Sequence, residues 1–215
     1  LIAMGEGSVI DNISFRYYTN SAVGGSPSGE YNQGHVIQNC EFSWAAASIL
    51  SYLPIDSETE GYIFPTADCI YNIYDAVIRN CYFHDMDCAA ASYEGDYLHM
   101  DLITAQGQDW ILEDSVFERT WAGAYNDYAN AAQNNHIVRN NYFLDMISSI
   151  SGTACWWDAD GGNTLALGFQ SGTAAPYLGI YGNKIVNFGA GAFWIGPFHE
   201  LEMHDNEIYL DSSRY

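Results

Sequence analysis

A histidine and an aspartate two residues apart carry the clearest acid–base chemistry in this chain. The stretch "YLHMDLITAQG" (97–107) alternates apolar residues with His99, Asp101 and Ile103, a pattern that predicts a strand. On such a strand His99 and Asp101 point outward together, about 6.6 Å apart. Because a carboxylate can orient an imidazole and favour its protonation, the pair predicts a general acid–base site. The alternative is a solvated strand face without a chemical role.

A second candidate site combines aromatic and acidic residues. The run "ACWWDADGGN" (154–163) places Trp156 and Trp157 in a polar, glycine-rich segment, which does not suit two core residues. Aromatic faces stack on sugar rings, and paired carboxylates bond sugar hydroxyls or Ca²⁺. Asp158 and Asp160 resemble part of a calcium loop, but the ligand spacing and closing Glu of an EF-hand are absent. Calcium therefore stays an open alternative for this segment.

A short repeat must position these residues. Each of seven copies has an aliphatic residue, an Asn, Asp or Gly two positions later, and a Phe or Ile three positions after that. The aliphatic positions are Ile10, Ile37, Ile78, Leu112, Val138, Ile180 and Met203, and the closing positions are Phe15, Phe42, Phe83, Phe117, Phe143, Ile185 and Ile208. The shortest intervals, 23–27 residues, indicate a repeat architecture. Alternation on either side of the middle position predicts two short strands that meet at a bend.

The middle position of the repeat predicts a left-handed bend, which Asn and Gly tolerate best. It is occupied by Asn12, Asn39, Asn80, Asp114, Asn140, Gly182 and Asp205. In stacked copies these residues would lie about 4.8 Å apart, with amide side chains bonding along the stack. Residues just before the bend, such as Arg79, Glu113 and Arg139, are expected to face outward with alternating charge. Lys184 is likewise expected to face Glu207.

Two cysteines give a further test of the stacking. Cys40 and Cys81 follow the bend in successive copies, so their Cα atoms are expected about 5 Å apart, within the range of a disulfide. Free buried thiols and a disulfide are both open, and a disulfide would favour a secreted protein. None of the five cysteines forms a CxxC pair, which disfavours a zinc ribbon.

The repeat resembles that of right-handed parallel β-helix proteins of the pectate-lyase-like kind, most clearly at "VRNNYF" (138–143). The resemblance covers the whole chain and implies an all-β solenoid of about seven coils, forming one domain over residues 1–215. Loop insertions are expected near 50–75, 93–100 and 153–175. This fold serves lyases, hydrolases, tailspikes and adhesins, so the resemblance does not specify an activity.

The resemblance also implies that the candidate residues lie along one strip of the surface. In β-helix proteins the third sheet, usually the ligand-binding one, begins after the closing position of each copy. Runs of small residues such as "WAAAS" (44–48) follow here, either to fit a tight corner or to keep a shallow floor clear. His99 and Asp101, with Gln106 shortly after, are similar to stretches of carbohydrate-active β-helices. Insertions that emerge at one corner would wall a groove beside that floor.

The predicted site therefore has three groups of residues. Arg119, in "FERTW", is the basic residue best placed for the strong base that calcium-dependent pectate lyases use, and the motifs of polygalacturonase-type hydrolases are absent. The catalytic candidates are His99, Asp101, Asp127 and Arg119, the substrate-binding candidates are Trp156, Trp157, Tyr125 and Trp194, and the metal candidates are Asp158 and Asp160.

The composition narrows the classes of partner that the protein is expected to bind. The chain has 27 acidic and 6 basic residues, a net charge of −21, which disfavours nucleic acid and anionic membrane surfaces. No apolar run approaches the roughly 20 residues that span a bilayer, so membrane insertion is not expected. The first residue is Leu rather than Met, which is typical of a processed chain or a fragment.

These features predict an extracellular protein, whether secreted, on a cell surface or on a virion, that recognises a polysaccharide or other glycan. If it is an enzyme, a polysaccharide lyase or a glycoside hydrolase is expected. The alternative is a structural or adhesive subunit of a filament or surface layer without catalytic activity. Such a subunit would associate with itself through exposed sheet edges at the coil ends.

Overall fold

The structure, a computed structural model, describes residues 2–18, 22–24, 34–44, 69–86, 92–93, 96–97, 102–106, 109–120, 125–127, 135–146, 163–167, 175–188, 191–195 and 198–210. Within these ranges the chain is all-β, with 23 strands and no helix, so no helix there could cross a membrane. Three sheets of seven strands each hold all but two of these strands.

The three sheets are built in the same way, from short parallel strands that lie side by side in chain order. Sheet A consists of β1 (Ile2–Ala3), β4 (Val23–Gly24), β7 (Ile70–Tyr74), β12 (Ile103–Gln106), β15 (Tyr125–Asp127), β18 (Asn163–Leu167) and β21 (Gly191–Ile195). Sheet B consists of β2 (Val9–Asp11), β5 (His35–Gln38), β8 (Ala76–Arg79), β13 (Trp110–Glu113), β16 (Asn135–Arg139), β19 (Ala175–Tyr181) and β22 (Phe198–His204). Sheet C consists of β3 (Ser14–Arg16), β6 (Glu41–Ser43), β9 (Tyr82–Met86), β14 (Val116–Thr120), β17 (Tyr142–Met146), β20 (Lys184–Phe188) and β23 (Glu207–Tyr209). The other two strands, β10 (Ser92–Tyr93) and β11 (Asp96–Tyr97), form an antiparallel pair.

The chain visits sheets A, B and C in this order seven times, and one such passage is called a coil below. The aliphatic positions of the predicted repeat lie in sheet B and the closing positions lie in sheet C. Sheet A is formed by the chain between one closing position and the next aliphatic position. Two of its strands, β7 and β18, fall inside the segments 50–75 and 153–175 where insertions were predicted.

The predicted register is confirmed in sheets B and C. Every aliphatic position opposes the next one along sheet B, from Ile10 to Met203. Every closing position opposes the next along sheet C, from Phe15 to Ile208. The fully buried rings between Phe42 and Phe143 stack with centroids 4.5 to 4.8 Å apart. Each such burial contributes roughly 1.5–3 kcal/mol, so this column forms a large part of the core.

The predicted left-handed bends are also confirmed. All seven middle positions of the repeat have φ between 49° and 66°. However, the bend residues are exposed, and Asn39 donates its Nδ2 to Asp11 of the preceding coil, 2.8 Å away. The predicted ladder of amide side chains along the bend column is therefore wrong.

The polar ladder lies one residue further along the chain. This inner column consists of Cys40, Cys81, Ser115, Asn141, Asn183 and Asn206. Within it the backbone nitrogen of Asn141 donates to Oδ1 of Asn183, and the backbone nitrogen of Asn183 donates to Oδ1 of Asn206, both at 3.0 Å. The difference arises because a left-handed residue interrupts the strand alternation, which turns the following side chain toward the core.

The two cysteines stack as predicted. Cys40 and Cys81 are successive members of the inner column, and both thiols are free and buried. Their sulfurs donate to the carbonyls of Gln38 and Arg79, at 3.1 and 3.3 Å. Hydrogen bonding between the two thiols lowers the pKa of Cys40 to about 7, whereas the same bond together with burial raises the pKa of Cys81.

A second row of left-handed residues, which the repeat did not predict, lies two positions after the closing residue in the first six coils. This corner row consists of Tyr17, Trp44, Asp85, Arg119, Asp145 and Asn187, with φ between 51° and 57°. The row lies at the end of the sheet C strands, directly after β3 and β6 and at the last but one residue of β9, β14, β17 and β20. The members differ widely in chemistry, so the row presents different groups at different coils.

Candidate functional site

Most residues of the predicted site lie outside the described residues. These are His99, Asp101, Trp156, Trp157, Asp158 and Asp160. Tyr125 and Asp127 belong to β15 and Trp194 to β21, so the backbone of all three lies in sheet A. In that sheet Asn126 opposes Ala166, which in turn opposes Trp194. The roles predicted for these residues stay predictions.

The alternation that was assumed around His99 does not continue to Ile103. The pattern placed Ile103 on the outward face, but both Leu102 and Ile103 are fully buried. Strand β12 begins only at Ile103, and its partner Ile70 in β7 is also buried. The expectation for Ile103 was wrong because a residue at the entrance of a strand does not have to follow the alternation inside it.

Arg119 is described, and its surroundings do not suit a base. It belongs to β14 of sheet C, whereas Tyr125 and Asp127 lie in sheet A. Its Nε donates to Oδ1 of Asp85 at 2.6 Å, and it also pairs with Glu118. The hydrogen bond to Asp85 raises the pKa of Arg119, so the guanidinium stays protonated near neutral pH.

The described residues instead bring together a polar cluster on the outer face of sheet C. The alternation of this sheet buries the closing Phe of β6, β9 and β14 and leaves the side chains before it in part exposed, whereas Ser43 after the Phe of β6 is buried. The sheet C cluster consists of Ser14, Arg16, Glu41, Tyr82, His84, Asp85, Glu118 and Arg119. These residues come from β3, β6, β9 and β14, which are consecutive strands of the sheet. The cluster therefore crosses four coils.

Glu41 connects the first three strands of the cluster. Its carboxylate accepts hydrogen bonds from Arg16 at 2.7 Å and from the hydroxyl of Ser14 at 2.8 Å. The same carboxylate lies 3.1 Å from Nε2 of His84. The donors Arg16 and Ser14 lower the pKa of Glu41 to about 2, so Glu41 is ionised near neutral pH.

His84 lies between two carboxylates that come from different coils. Its Nδ1 is 2.7 Å from Oδ2 of Asp85, on the ring edge away from Glu41. The imidazole also stacks on the ring of Tyr82, with centroids 4.1 Å apart. The side chain is only 13% exposed, so the imidazole is held in one orientation by contacts on its face and at both nitrogens.

The last strand of the cluster contributes Glu118 and Arg119. Tyr82 donates its hydroxyl hydrogen to Glu118. Burial is the main cause that raises the pKa of Tyr82, and this hydrogen bond is the second. The Arg119 guanidinium holds the pKa of Asp85 below its ordinary value. The cluster thus has two cationic side chains and three carboxylates, close to charge balance in a chain whose net charge is −21.

Two exposed aromatic residues extend the cluster at the corner row. Tyr17 and Trp44 are 66% and 44% exposed, and their ring centroids are 6.5 Å apart with planes inclined by 19°. Tyr17 directly follows Arg16 in the chain, and Trp44 directly follows β6. Sequence reasoning missed both, although their spacing of two residues after each closing Phe was visible in the repeat.

The arrangement can bind hydroxyl-rich molecules through many hydrogen bonds, since its carboxylates accept while its guanidinium and phenol groups donate. Within the described ranges, no group of three or more His, Cys, Asp or Glu residues is arranged to hold a metal ion. Sequence reasoning missed the sheet C cluster because the partners that bond between its strands lie 25 to 43 residues apart along the chain. The available signal was the set of outward positions beside each closing Phe.

Comparison with known proteins adds no family. No protein-family model, no curated protein and no solved structure matches the chain.

Proposed function

We propose that the chain is a right-handed parallel β-helix that recognises an extracellular polysaccharide, with or without cleaving it. The fold proposal is supported by three parallel sheets that the chain visits in the same order seven times. It is also supported by the columns of identical residue types, such as the stacked phenylalanines. A regular coil of this kind presents equivalent positions every ~4.8 Å along its axis.

The observation that carries the functional proposal is the sheet C cluster. Hydrogen-bonding side chains of four consecutive coils form one strip that follows the stacking direction. A linear polymer laid along this direction meets a new set of donors and acceptors at each coil. Sugars offer hydroxyl groups at a similar spacing, and acidic side chains with arginines are suited to bonding them.

The charge of the protein favours a neutral glycan. A free polyanion would be repelled by the net charge of −21, and the two arginines of the strip are already paired with carboxylates. If the glycan is cleaved, an acid–base centre is needed. The proposed centre is still the sequence-predicted set around His99, Asp101 and Asp127, whereas Arg119 is no longer included because two carboxylates hold its proton.

A panel of soluble polysaccharides tests the proposal. Binding is measured by affinity electrophoresis, and cleavage by new reducing ends and by absorbance at 235 nm, with and without Ca²⁺. We expect at least one neutral polysaccharide to bind. Glu41→Gln and His84→Ala should each weaken that binding about tenfold, since one lost hydrogen bond is worth ~1.4 kcal/mol here.

Arg79→Gln is the matched control. Arg79 is also an exposed ladder residue, but it lies on sheet B, where it donates to Gln38. This variant should bind like the wild type. If the wild type binds no polysaccharide, the function is wrong; if all three variants bind normally, recognition takes place away from sheet C.

A further inference from the structure

Tyr17 and Trp44 occupy positions that neither the core nor the backbone explains. Both are members of the corner row, in which φ is positive throughout. Left-handed backbone costs non-glycine residues roughly 1–2 kcal/mol, with Asn and Asp as the usual exceptions. The corner row indeed has Asp85, Asp145 and Asn187 in later coils. Aromatic residues in the first two coils therefore cost stability relative to Asn.

Burial offsets only part of this cost. Tyr17 is 66% and Trp44 44% exposed, whereas the neighbouring Phe15 and Phe42 stack against the core with ring centroids 4.9 Å apart. The rings of Tyr17 and Trp44 lie beside each other at the surface, nearly parallel, in adjacent coils. Strained backbone at aromatic side chains that stay in part exposed is a reason to look for a function.

The surroundings of the pair select the type of ligand. The Arg16–Glu41 ion pair and the Ser14 hydroxyl lie on β3 and β6, the strands that Tyr17 and Trp44 directly follow, so aromatic and hydrogen-bonding groups come from the same two coils. This combination matches a pyranose ring, which has an apolar face and a rim of hydroxyl groups. An anionic lipid surface is a poor match, because Arg16 is already neutralised by Glu41 and the chain is strongly acidic.

The row of residues that continues from the pair indicates the direction in which the ligand lies. From Tyr17 and Trp44 the corner row continues to Asp85 and Arg119 in the third and fourth coils. A chain that touches all four residues must run along the stacking direction of the coils. Each step between coils is ~4.8 Å, which is comparable to the advance of one sugar unit in an extended chain.

We infer that Tyr17 and Trp44 form an aromatic subsite that stacks sugar units of a neutral glycan, with the glycan running along the corner row toward Arg119. This subsite rests on the proposed recognition of a polysaccharide and adds its position, its direction and its ligand chemistry. No residue of the sequence-predicted site belongs to it except Arg119, at its far end.

The test replaces each aromatic residue by the residue that its backbone prefers. Trp44→Asn and Tyr17→Asn should unfold at the same or a higher temperature than the wild type, because Asn tolerates the left-handed conformation. Titration with the polysaccharide that binds best in the panel should nevertheless show about 3–10-fold weaker binding for each variant, as expected for loss of an aromatic contact. Trp44→Phe should keep most of the affinity.

Two controls separate the possible outcomes. Tyr209→Ala removes a ring that is about as exposed as that of Trp44 from the seventh coil and should leave binding unchanged. Affinity should rise with oligosaccharide length until the ligand spans four coils, then level off. Normal binding by Trp44→Asn would overturn the subsite but leave the proposed function intact, whereas absence of binding by the wild type would overturn both.

Discussion

Asn141 and Asn183 lie above one another in adjacent coils, and the Nδ2 of Asn141 donates to the Oδ1 of Asn183 at 3.1 Å. The same oxygen accepts from the backbone nitrogen of Asn141, so one amide satisfies two donors of the neighbouring coil. The Nδ2 of Asn183 reaches back to the carbonyl of Val138 at 2.9 Å. Because Asn183 is buried, water cannot replace these hydrogen bonds if they are lost.

Asn183→Leu should therefore destabilise the protein strongly. The change leaves the backbone nitrogen of Asn141 and the carbonyl of Val138 without these partners, at about 1–3 kcal/mol each. The measurement is the free energy of unfolding from urea denaturation. Asn80→Ala is the control, because Asn80 is an exposed bend residue whose loss should cost only about 1 kcal/mol. Equal losses for the two variants would contradict the assignment of the inner column.

Cys81→Ser should be tolerated. Ser115 holds the next place in the inner column, where its hydroxyl accepts from the backbone nitrogen of Cys81 and donates to the carbonyl of Glu113. A serine at position 81 can make the equivalent bonds, so the unfolding free energy should change by less than about 1 kcal/mol. Cys81→Leu adds volume in a packed column, so it should lower the free energy of unfolding by roughly 1–3 kcal/mol. Similar stability of both variants would argue against close packing there.

His136→Leu should make the protein less sensitive to acid. Burial lowers the pKa of His136 to about 3, whereas the unfolded chain takes up this proton near pH 6.5. The folded state therefore loses stability as the pH falls from 6.5 toward 3, by up to about 1.4 kcal/mol per pH unit. The opposed residues in the adjacent strands are Trp110 and Leu178, so an apolar side chain fits the position.

The measurement compares the two proteins between pH 7 and pH 5, where the ordinary carboxylates stay ionised. The unfolding free energy of the wild type should decrease more steeply than that of His136→Leu. Other histidines contribute equally to both proteins, so the difference in slope reports on His136 alone. Parallel curves would show that His136 is accessible to protons in the folded state.

Arg119→Asn should leave stability nearly unchanged, whereas Arg119→Val should reduce it. Arg119 has φ 51°, which Asn tolerates and a β-branched residue does not. Its ion pairs are about half exposed and are worth at most about 1 kcal/mol, so Asn offsets much of their loss. Val loses the same pairs and adds roughly 1–2 kcal/mol of backbone strain. Thermal unfolding of the two variants in the same buffer checks this order, and a Val variant as stable as the Asn variant would show that the backbone there can relax.

The repeat predicted the register of sheets B and C because each copy has the same apolar positions, and a slip of one residue would expose all of them. The columns from Ile10 to Met203 and from Phe15 to Ile208 follow from this alone. The left-handed bends were predictable for a similar reason, since Asn and Gly at a fixed place in a repeat report a backbone requirement.

The corner row was not predictable from residue types. Tyr17, Trp44 and Arg119 are not turn-forming residues, yet they adopt the same left-handed conformation as Asp85. Here the path of the chain around the coil imposes the backbone conformation, even on residue types that do not favour it. The polar inner column was also misplaced by one residue, because the direction of a side chain after a bend depends on dihedral angles that a residue pattern does not contain.

By itself the sequence determined which residues stack, because apolar burial acts on every copy of the repeat in the same way. Only the tertiary structure decided which polar groups meet across coils. Glu41, His84 and Arg119 become one cluster because parallel stacking brings distant segments to within ~4.8 Å, and the lengths of the connecting segments set which residues face each other. The repeat marks the positions beside each closing residue but does not say which polar groups form contacts, so the bonds of the sheet C cluster and the geometry of the Tyr17–Trp44 pair emerged only from the structure.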